Sequence, residues 1–339
     1  GWTQGVLLKE FITIFSAYSQ GRNHSLPELP IQYADFAVWQ RTHMQGDRLQ
    51  RHLEYWKEKL SGLVPLLGLP IDRPRPKVIS GEGSLKRIYL PLSLGNRLKE
   101  FSRSHGVTLF MTMLAVLKTL LFRYTGEEDL CVGTGMANRH HKETEGMLGM
   151  VINTLPLRTR VKGDIAFAEC LRRVKETCLE AYQNQDTPFE QIVDALSPER
   201  NLSYTPIFQV MFTFMDTPSE DLVLPGLEVH VEHTHNRSSK FDINIVVVPV
   251  AGQTRENGAG EILVEWEYNT DIFNDDTMDR MLEHYERLLE AAAAYPGETV
   301  YGLPMPPSWQ LARLLEQFNN TYFVMLDRIP LTANGKNNS

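Results

Sequence analysis

Two groups of histidines are the residues whose type and spacing could support catalysis or metal binding. His140 and His141 stand side by side in HHKETEG, and an imidazole titrates near neutrality, which suits it to accept a proton from an attacking group. His230, His233 and His235 lie in HVEHTH, where a two-residue spacing along a strand would place side chains on one face, as a metal site requires. Because no cysteine or carboxylate cluster accompanies this second group, the pattern favours a surface strand and loop.

The bulk composition is typical of a soluble globular chain. Of 339 residues, 42% are hydrophobic and 22% are charged, and the formal net charge of −8 provides no general attraction to nucleic acid or to an anionic membrane. Cys131, Cys170 and Cys178 are odd in number and form no CxxC pair, which fits a reducing cytoplasm. There is no secretory signal and no apolar run of transmembrane length, so we expect a cytoplasmic protein.

Hydrophobic periodicity predicts the elements that must position these side chains, and it indicates an α/β chain with a strand-rich second half. Helices are predicted over 4–19, 33–60, 93–105, 108–123, 165–183, 188–196 and 275–294. Strands are predicted over 84–90, 129–135, 151–160, 206–215, 227–233, 240–250 and 260–269. Segment 61–83 is predicted to be an extended linker, because the residue before a proline disfavours helix.

Six strings along the chain resemble the motifs of condensation domains of nonribosomal peptide synthetases, and they occur in the order of that family. The second, GMLGMVINTLPLR, resembles IGxFVNTxxLR, and the third, NQDTPFEQIV, resembles HQDxPFE with asparagine in place of the more usual histidine. The strings begin at Tyr33 (YADFAVWQ), Gly146, Asn184, Arg200 (RNLSYTPIFQVMF), Lys240 (KFDINI) and Glu267 (EYNTDIF). Six ordered matches spread over most of residues 1–295 form a far more specific signal than any one of them.

The resemblance implies a two-lobed α/β fold like that of chloramphenicol acetyltransferase, with the first lobe incomplete and a tunnel between the lobes. It divides the chain into a remnant of the first lobe over 1–75 and the second lobe over 76–300. The implied reaction is attack of an acceptor aminoacyl amine on a donor thioester. Donor and acceptor peptidyl carrier protein domains of the synthetase modules would bring both groups on phosphopantetheine, so no directly bound cofactor, nucleotide or metal is expected.

The catalytic motif of the family, HHxxxDG, is the feature that this sequence does not match in its expected place. Gly1 corresponds to the last residue of that motif, followed by Trp2 and a helix, and the first residue is not methionine. We therefore expect a fragment that lacks the catalytic histidine and is inactive alone. His140 and His141 in HHKETEG mimic the motif, but the surrounding string aligns with a loop in which these positions vary freely, so they are expected to be solvated.

The resemblance also suggests roles for polar residues by their motif positions. The predicted tunnel residues are Trp2, Asn153, Gln185 and Asn201. Asn201 is the preferred candidate for an active-site polar group, although a structural role in a turn is an equal alternative. The residues expected to organise the fold are Tyr33, Asp35, Pro188 and Arg200.

The tail resembles a different domain of the same synthetases. Residues 301–321, with WQLARLLEQFNNT, resemble the linker between a condensation domain and the next adenylation domain. Residues 322–339 resemble the last adenylation motif, FVxLDxLPLTxNGKxDR, whose lysine corresponds to Lys336. The body of an adenylation domain is not present between them, so Lys336 is expected to have no site to serve.

Three functional hypotheses follow from these features. The first is an inactive remnant of a peptide-bond-forming acyltransferase, and the second is a non-catalytic piece that docks carrier proteins or serves as a scaffold. The third is an independent acyltransferase that uses His141 as its base. We rank them in that order.

Overall fold

A computed structural model describes residues 2–24, 26–199, 201–215, 224, 226–227, 229, 234–249 and 260–306. The helices in that part of the chain are α1 (Trp2–Ser19), α2 (Tyr33–His43), α3 (Gly46–Leu60), α4 (Leu92–Ser104), α5 (Leu109–Thr125), α6 (Phe167–Gln183), α7 (Phe189–Leu196) and α8 (Asp275–Ala294). The strands are β1 (Gly83–Pro91), β2 (Asp129–Met136), β3 (Asn153–Arg160), β4 (Val210–Phe214), β5 (Ile243–Pro249) and β6 (Gly260–Asn269). The strand predicted over 227–233 lies mostly outside the described residues.

The six strands form one mixed sheet in the order β1-β6-β5-β4-β2-β3. Strand β4 is parallel to both of its neighbours, β2 and β5, and the other pairs are antiparallel. Because successive side chains on a strand point to opposite faces, each strand divides its residues between two surfaces. One surface is buried beneath helices. On the other, which we call the open face, Gly135, Thr213 and Val246 have intermediate exposure, whereas Gly133 and Met211 are buried.

Helices α4, α5, α6 and α8 form the layer that covers the buried face of the sheet. Residues Met111 to Phe122 of α5 are all buried, and Trp266 and Tyr268 of β6 are fully buried opposite the helices. Thr108 begins α5 by accepting a hydrogen bond from the Met111 amide at 3.2 Å, and Gly126 ends it in the left-handed conformation. No single described helix is long and apolar enough to cross a membrane, and α4 with α5 would pass only as a pair bent by 103°.

One cation lies inside this helical layer. Lys118 of α5 has no exposed surface, and its ammonium donates hydrogen bonds to the backbone oxygens of Leu130 at 3.0 Å and Leu157 at 2.7 Å. These acceptors belong to β2 and β3, so Lys118 ties α5 to the edge of the sheet. The thiols of Cys131, Cys170 and Cys178, all free and buried, lie around it.

The helix predicted over 33–60 is two helices. It breaks at Gly46, whose φ of 59° lies in the left-handed region that favours glycine. Helix α2 ends before this residue and α3 begins at it, so the helical hydrogen bonding does not continue from one to the other. The prediction of a continuous helix was therefore wrong at this point, because periodicity alone does not reveal the turn.

The linker was predicted over 61–83, and its residues 61–82 form a strap held against the sheet and α8, since Gly83 already belongs to β1. Arg75 forms a bidentate ion pair with Asp242, whose Oδ1 lies 2.8 Å from the guanidinium, and the two side chains are 12% and 3% exposed. Asp72 accepts hydrogen bonds from the Asn274 amide at 2.8 Å and the Thr277 hydroxyl at 2.9 Å, at the start of α8. The strap is extended, as its prolines predict, but it is fixed by charge and hydrogen bonds.

A second clamp holds the other end of the strap. The Gln209 side chain, 2% exposed, accepts a hydrogen bond from the Leu67 amide at 2.9 Å and donates to the backbone oxygens of Pro65 and Thr205, both at 2.9 Å. Gln209 precedes β4, in the string PIFQVMF. The strap is therefore fixed beside the starts of both β4 and β5.

Candidate functional site

The loop between β2 and β3 is organised around Arg139. The guanidinium donates to the backbone oxygens of Thr144, of Met147 at 2.8 Å and of Gly149 at 3.3 Å. It also donates to the Thr3 hydroxyl at 3.0 Å and stands 5.8 Å above the Trp2 ring. Burial lowers the pKa of Arg139 from its ordinary value. One side chain thus fixes the loop and the first turn of α1 together.

Trp2, a predicted tunnel residue, is positioned by the same loop. Its indole nitrogen donates to the Glu145 backbone oxygen at 2.8 Å, and the neighbouring Thr3 hydroxyl donates to the Gly149 oxygen at 2.7 Å. The remainder of α1 is much less enclosed: among the described residues 2–19, no side chain is buried, and Phe11 and Tyr18 are 49% and 60% exposed. The first turn of α1 is therefore its anchored end.

His140 and His141 are both exposed on this loop. The His141 ring packs edge-on against Trp39 of α2 with ring centroids 5.0 Å apart, and Trp39 stacks on His43 at 4.6 Å. This is the solvated loop that the sequence favoured for HHKETEG.

Asn153, at the start of β3, has its side-chain amide fully engaged within the protein. Its nitrogen donates to the backbone oxygens of Gln185 and Thr187, both at 2.7 Å, and its oxygen accepts from the Phe189 amide at 3.1 Å. The Phe189 amide belongs to the first residue of α7, where backbone donors have no partner within the helix. Asn153 thus supports the loop between α6 and α7, and its predicted tunnel role stays a prediction.

Replacement of Asn153 by alanine should lower the free energy of unfolding by about 1–3 kcal/mol, because it leaves the partly buried Phe189 amide without its partner. Asn184→Ala is the matched control, since the Asn184 side chain makes one exposed hydrogen bond, to the Glu180 oxygen at 3.0 Å. Urea denaturation of the two variants measures the difference. Equal losses would contradict the role assigned to Asn153.

Gln185 and Asp186 lie in the loop that Asn153 supports, where α3 packs. Asp186 forms an ion pair with Arg48 at 3.0 Å, and the Trp56 indole donates to the Asn184 oxygen at 3.2 Å. The Gln185 side-chain oxygen is buried and has no hydrogen-bond partner within the described part of the chain. Gln185 thus contacts Asn153 through the Gln185 backbone oxygen, and the Gln185 side-chain oxygen accepts no hydrogen bond among the described residues.

Arg158, the last residue of the string GMLGMVINTLPLR, ties α3 to the sheet. It binds Asp129 in bidentate fashion at 2.8 and 2.6 Å and donates to the Lys59 and Ser61 oxygens at 3.0 and 2.7 Å. The hydrogen bonds from Arg158 hold the pKa of Asp129 below its usual value. The sequence assigned this arginine no role of its own.

Tyr33, Asp35 and Pro188 lie at or next to the first turns of helices. The Tyr33 hydroxyl donates to the Met150 oxygen at 3.1 Å, and the Asp35 carboxylate accepts from the Gln32 amide at 2.8 Å as part of a capping box for α2. Pro188 is the residue immediately before α7. Proline is tolerated there because the backbone N–H that it lacks would have no acceptor within the helix. All three side chains take part in organising the fold.

Asn201 lies apart from the residues above. Its exposed side-chain oxygen accepts from the Ser203 amide at 2.8 Å and the Ser203 hydroxyl at 2.6 Å, an arrangement typical of an asparagine turn. Arg75 of the strap donates to the Ser203 oxygen at 3.2 Å, so this turn is attached to the Arg75–Asp242 pair. The Asn201 side chain is thus bonded within its own turn, as the structural alternative expects, and an active-site role for Asn201 remains a prediction. The predicted residues Gly1, Arg200, His230, His233 and Lys336 lie outside the described residues.

A polar group on the open face was not found from the sequence. His235 Nε2 lies 3.0 Å from a Glu267 carboxylate oxygen, and Nδ1 accepts a hydrogen bond from the Arg237 amide at 3.2 Å. Because Nδ1 is the acceptor, the ring proton is on Nε2 and points at the carboxylate. Asn244 of β5 approaches the other Glu267 oxygen at 3.4 Å. These residues are distant along the chain, and no spacing pattern indicates that they meet.

The middle of the open face carries small and uncharged side chains. Met211 pairs across the sheet with Gly133 and Asn244, and the next row contains Gly135, Thr213 and Val246. Beyond it, Glu265 of β6 pairs with Arg87 of β1 at 2.8 Å.

This fold and surface place the chain in a known class. The family model described as "Condensation domain" matches residues 1–315, and the chain belongs to that family. The expected α/β fold is thereby confirmed. Among solved structures, the X-domain from teicoplanin biosynthesis superimposes with a TM-score of 0.80 at 26% identity, covering 90% of this chain and 69% of that one. The four-domain nonribosomal peptide synthetase AB3403 has the same fold, with a TM-score of 0.78 at 21% identity, covering 91% of this chain and 24% of that one.

The similar curated proteins are components of peptide synthetases. One protein of the linear gramicidin synthase of Brevibacillus parabrevis is 44% identical over 323 residues, which cover 95% of this chain and 4% of that protein. A second protein of the same synthase is 43% identical over 326 residues, 95% of this chain and 6% of that protein. The chain thus spans only a small part of the length of these relatives.

Proposed function

We propose that this chain forms the sheet-side half of a site at which carrier-bound aminoacyl or peptidyl thioesters are joined. The observation that supports this most directly is the uncharged middle of the open face, with Gly135, Thr213 and Val246, on a chain of the condensation-domain family. Donor and acceptor carrier proteins are the proposed partners. Their phosphopantetheine arms would supply the thioesters, and the chain itself would hold no metal or nucleotide.

The proposed reaction transfers an acyl group from sulfur to nitrogen. The acceptor amine attacks the donor thioester carbonyl, a C–N bond forms, the C–S bond breaks, and the donor pantetheine leaves as a thiol. The amine must lose one proton, and a group with a pKa near neutrality would accept it. In the family this work belongs to the second histidine of HHxxxDG.

Neither histidine that the structure places near this region is suited to be that base. Both nitrogens of His235 are engaged, by Glu267 and by the Arg237 amide. His141 is exposed and packs on Trp39. We therefore propose that these 339 residues bind the substrates and shape the site but do not accept the proton. We also expect no adenylation activity from Lys336. The three free thiols support a cytoplasmic setting.

A condensation assay with two loaded carrier proteins tests this proposal. The chain alone should give no dipeptide above background. The same chain joined to a first lobe that carries HHxxxDG should give dipeptide, because that lobe supplies an imidazole as the base. The control is that hybrid with its second motif histidine changed to alanine. Dipeptide formed by the unmodified chain alone would overturn the proposal, as would a hybrid that binds both carriers without turnover.

A docking function is the second candidate. The X-domain from teicoplanin biosynthesis, also solved in a complex with OxyB, matches this chain with a TM-score of 0.79 at 27% identity, covering 91% of this chain and 67% of that one. If this chain acts as a scaffold, it should bind a loaded carrier protein while the hybrid remains inactive. The third candidate, an acyltransferase with His141 as its base, requires that His141→Ala abolish an activity of the unmodified chain.

A further inference from the structure

A cavity of about 350 Å³ lies on the outer side of the helical layer, where α4, the end of α8 and residues 295–306 meet. The outer position follows from α4, in which Leu94 and Leu98 are buried while Arg97 is exposed. The open face lies on the opposite side of the sheet. The cavity is therefore separate from the site proposed for condensation.

The charged side chains that line the cavity leave one positive charge unbalanced. Arg287 and Glu290, both of α8, form an ion pair at 3.0 Å. Arg97 makes no hydrogen bond and no ion pair with the residues that the structure describes. Its guanidinium thus has its N–H donors available to a ligand, in the planar arrangement that matches a carboxylate.

The rest of the lining is largely apolar. It consists of the Tyr295 ring, the rings of Pro304 and Pro306, and the methyl groups of Ala291 and Ala294. These groups can cover hydrocarbon, whereas a charged group placed against them would lose water without gaining a partner. A ligand that carries one carboxylate at the end of an apolar body would satisfy both parts of the lining, because the carboxylate can pair with the guanidinium.

We propose that this cavity binds a monocarboxylate with an apolar body, and that Arg97 recognises the carboxylate. The volume lies near the lower end of the range for small-molecule sites, about 300–1,000 Å³, and suits a body of one side chain or one short acyl chain. A peptide C-terminus and a fatty acid share this chemistry. Neither ligand is a carrier-bound thioester, so this site is a second one beside the site of condensation.

NMR titration of the full chain, observing the ligands, tests the proposal with two carboxylates and their uncharged amides. The probes are N-acetylphenylalanine, hexanoate, N-acetylphenylalaninamide and hexanamide. Each carboxylate should bind about tenfold more tightly than its amide, equivalent to about 1.4 kcal/mol. Arg97→Gln should weaken both carboxylates about tenfold and leave the amides within about twofold. The tighter of the two carboxylates identifies a peptide C-terminus or a fatty acid as the source.

Ala294→Phe tests the apolar part of the cavity. Ala294 is exposed at the end of α8, so the larger side chain can be accommodated by the fold while it occupies the space of the ligand. This variant should weaken all four probes. Unchanged binding would place the probes elsewhere and would overturn the proposal.

Arg103→Gln is the matched control, because Arg103 is also an exposed arginine of α4 and does not line the cavity. It makes the same change in net charge as Arg97→Gln and should bind all four probes as the unmodified chain does. Equal losses of carboxylate affinity in the two arginine variants would reduce the effect to general electrostatics and contradict the role of Arg97. The proposal is also wrong if carboxylates and amides bind equally, or if no probe binds the unmodified chain.

Discussion

Replacement of Asp242 by asparagine should lower the free energy of unfolding by about 3–5 kcal/mol, because it leaves the Arg75 guanidinium buried without an opposite charge. The side chains of this pair are 12% and 3% exposed, and both guanidinium nitrogens reach the carboxylate. The guanidinium also holds the Ser203 oxygen, so its displacement would loosen the Asn201 turn. The loss should therefore be larger than that of an ordinary surface ion pair.

Glu265→Gln provides the comparison. Glu265 also binds an arginine, Arg87, but these side chains are 23% and 37% exposed. An ion pair of this exposure is expected to contribute about 0–1 kcal/mol. Urea denaturation of both variants gives the two losses under one set of conditions. If Asp242→Asn costs no more than Glu265→Gln, the strap is not held by this pair.

Replacement of Lys118 by methionine should remove a pH dependence of stability between about pH 8 and 10.5. Burial lowers the pKa of Lys118 from 10.5 to about 8, against the weaker influence of the neighbouring thiols. Below pH 8 Lys118 is protonated in both the folded and the unfolded chain, so the free-energy cost of burying its charge is fully present. Between the two pKa values the unfolded chain binds more protons, so stability rises with pH by about 3 kcal/mol in all, at 1.36 kcal/mol per pKa unit.

The buried thiols act in the opposite direction at higher pH. Burial raises the pKa of Cys131 and Cys178 to about 12 and that of Cys170 to about 11, so the unfolded chain loses these protons first and stability falls above pH 9. For this reason the prediction concerns the difference between the unmodified chain and Lys118→Met, from which the thiol contributions are largely subtracted and only their coupling to Lys118 remains. Chemical denaturation at pH 7, 8, 9 and 10 provides that difference. A difference that stays constant over this range would show that Lys118 keeps its proton in the folded core and that its pKa is not lowered by burial.

The sequence allowed most helices and strands to be predicted, since each buries a periodic apolar stripe. The bounds of α8 agree with the prediction, and those of α6 and α7 agree within a few residues. Strand β4 begins four residues later than predicted, because Ile207 has a φ of 71° and interrupts the extended chain. Neither this residue nor Gly46 carries a signal that periodicity can read.

The strand order and the clamps could not be predicted, because they depend on residues far apart in the chain. The sequence led to no prediction of strand order, and the pairing of Arg75 with Asp242 has no local signature. The motif strings identified the right segments, yet Arg158 and Gln209, which hold those segments together, received no role. The His235–Glu267 pair depends on two segments meeting on one face, and the sequence placed only one of them.

The edge position of β1 has a consequence for the order of events during biosynthesis. The cross-strand partners Arg87 and Glu265 are 178 residues apart, and the strap also needs Asp242 and the start of α8. At about 5–20 residues per second, a ribosome takes on the order of 10–40 seconds to produce the partner strand. During that delay the nascent β1 segment has no strand partner, and its backbone groups bond to water until β6 is made.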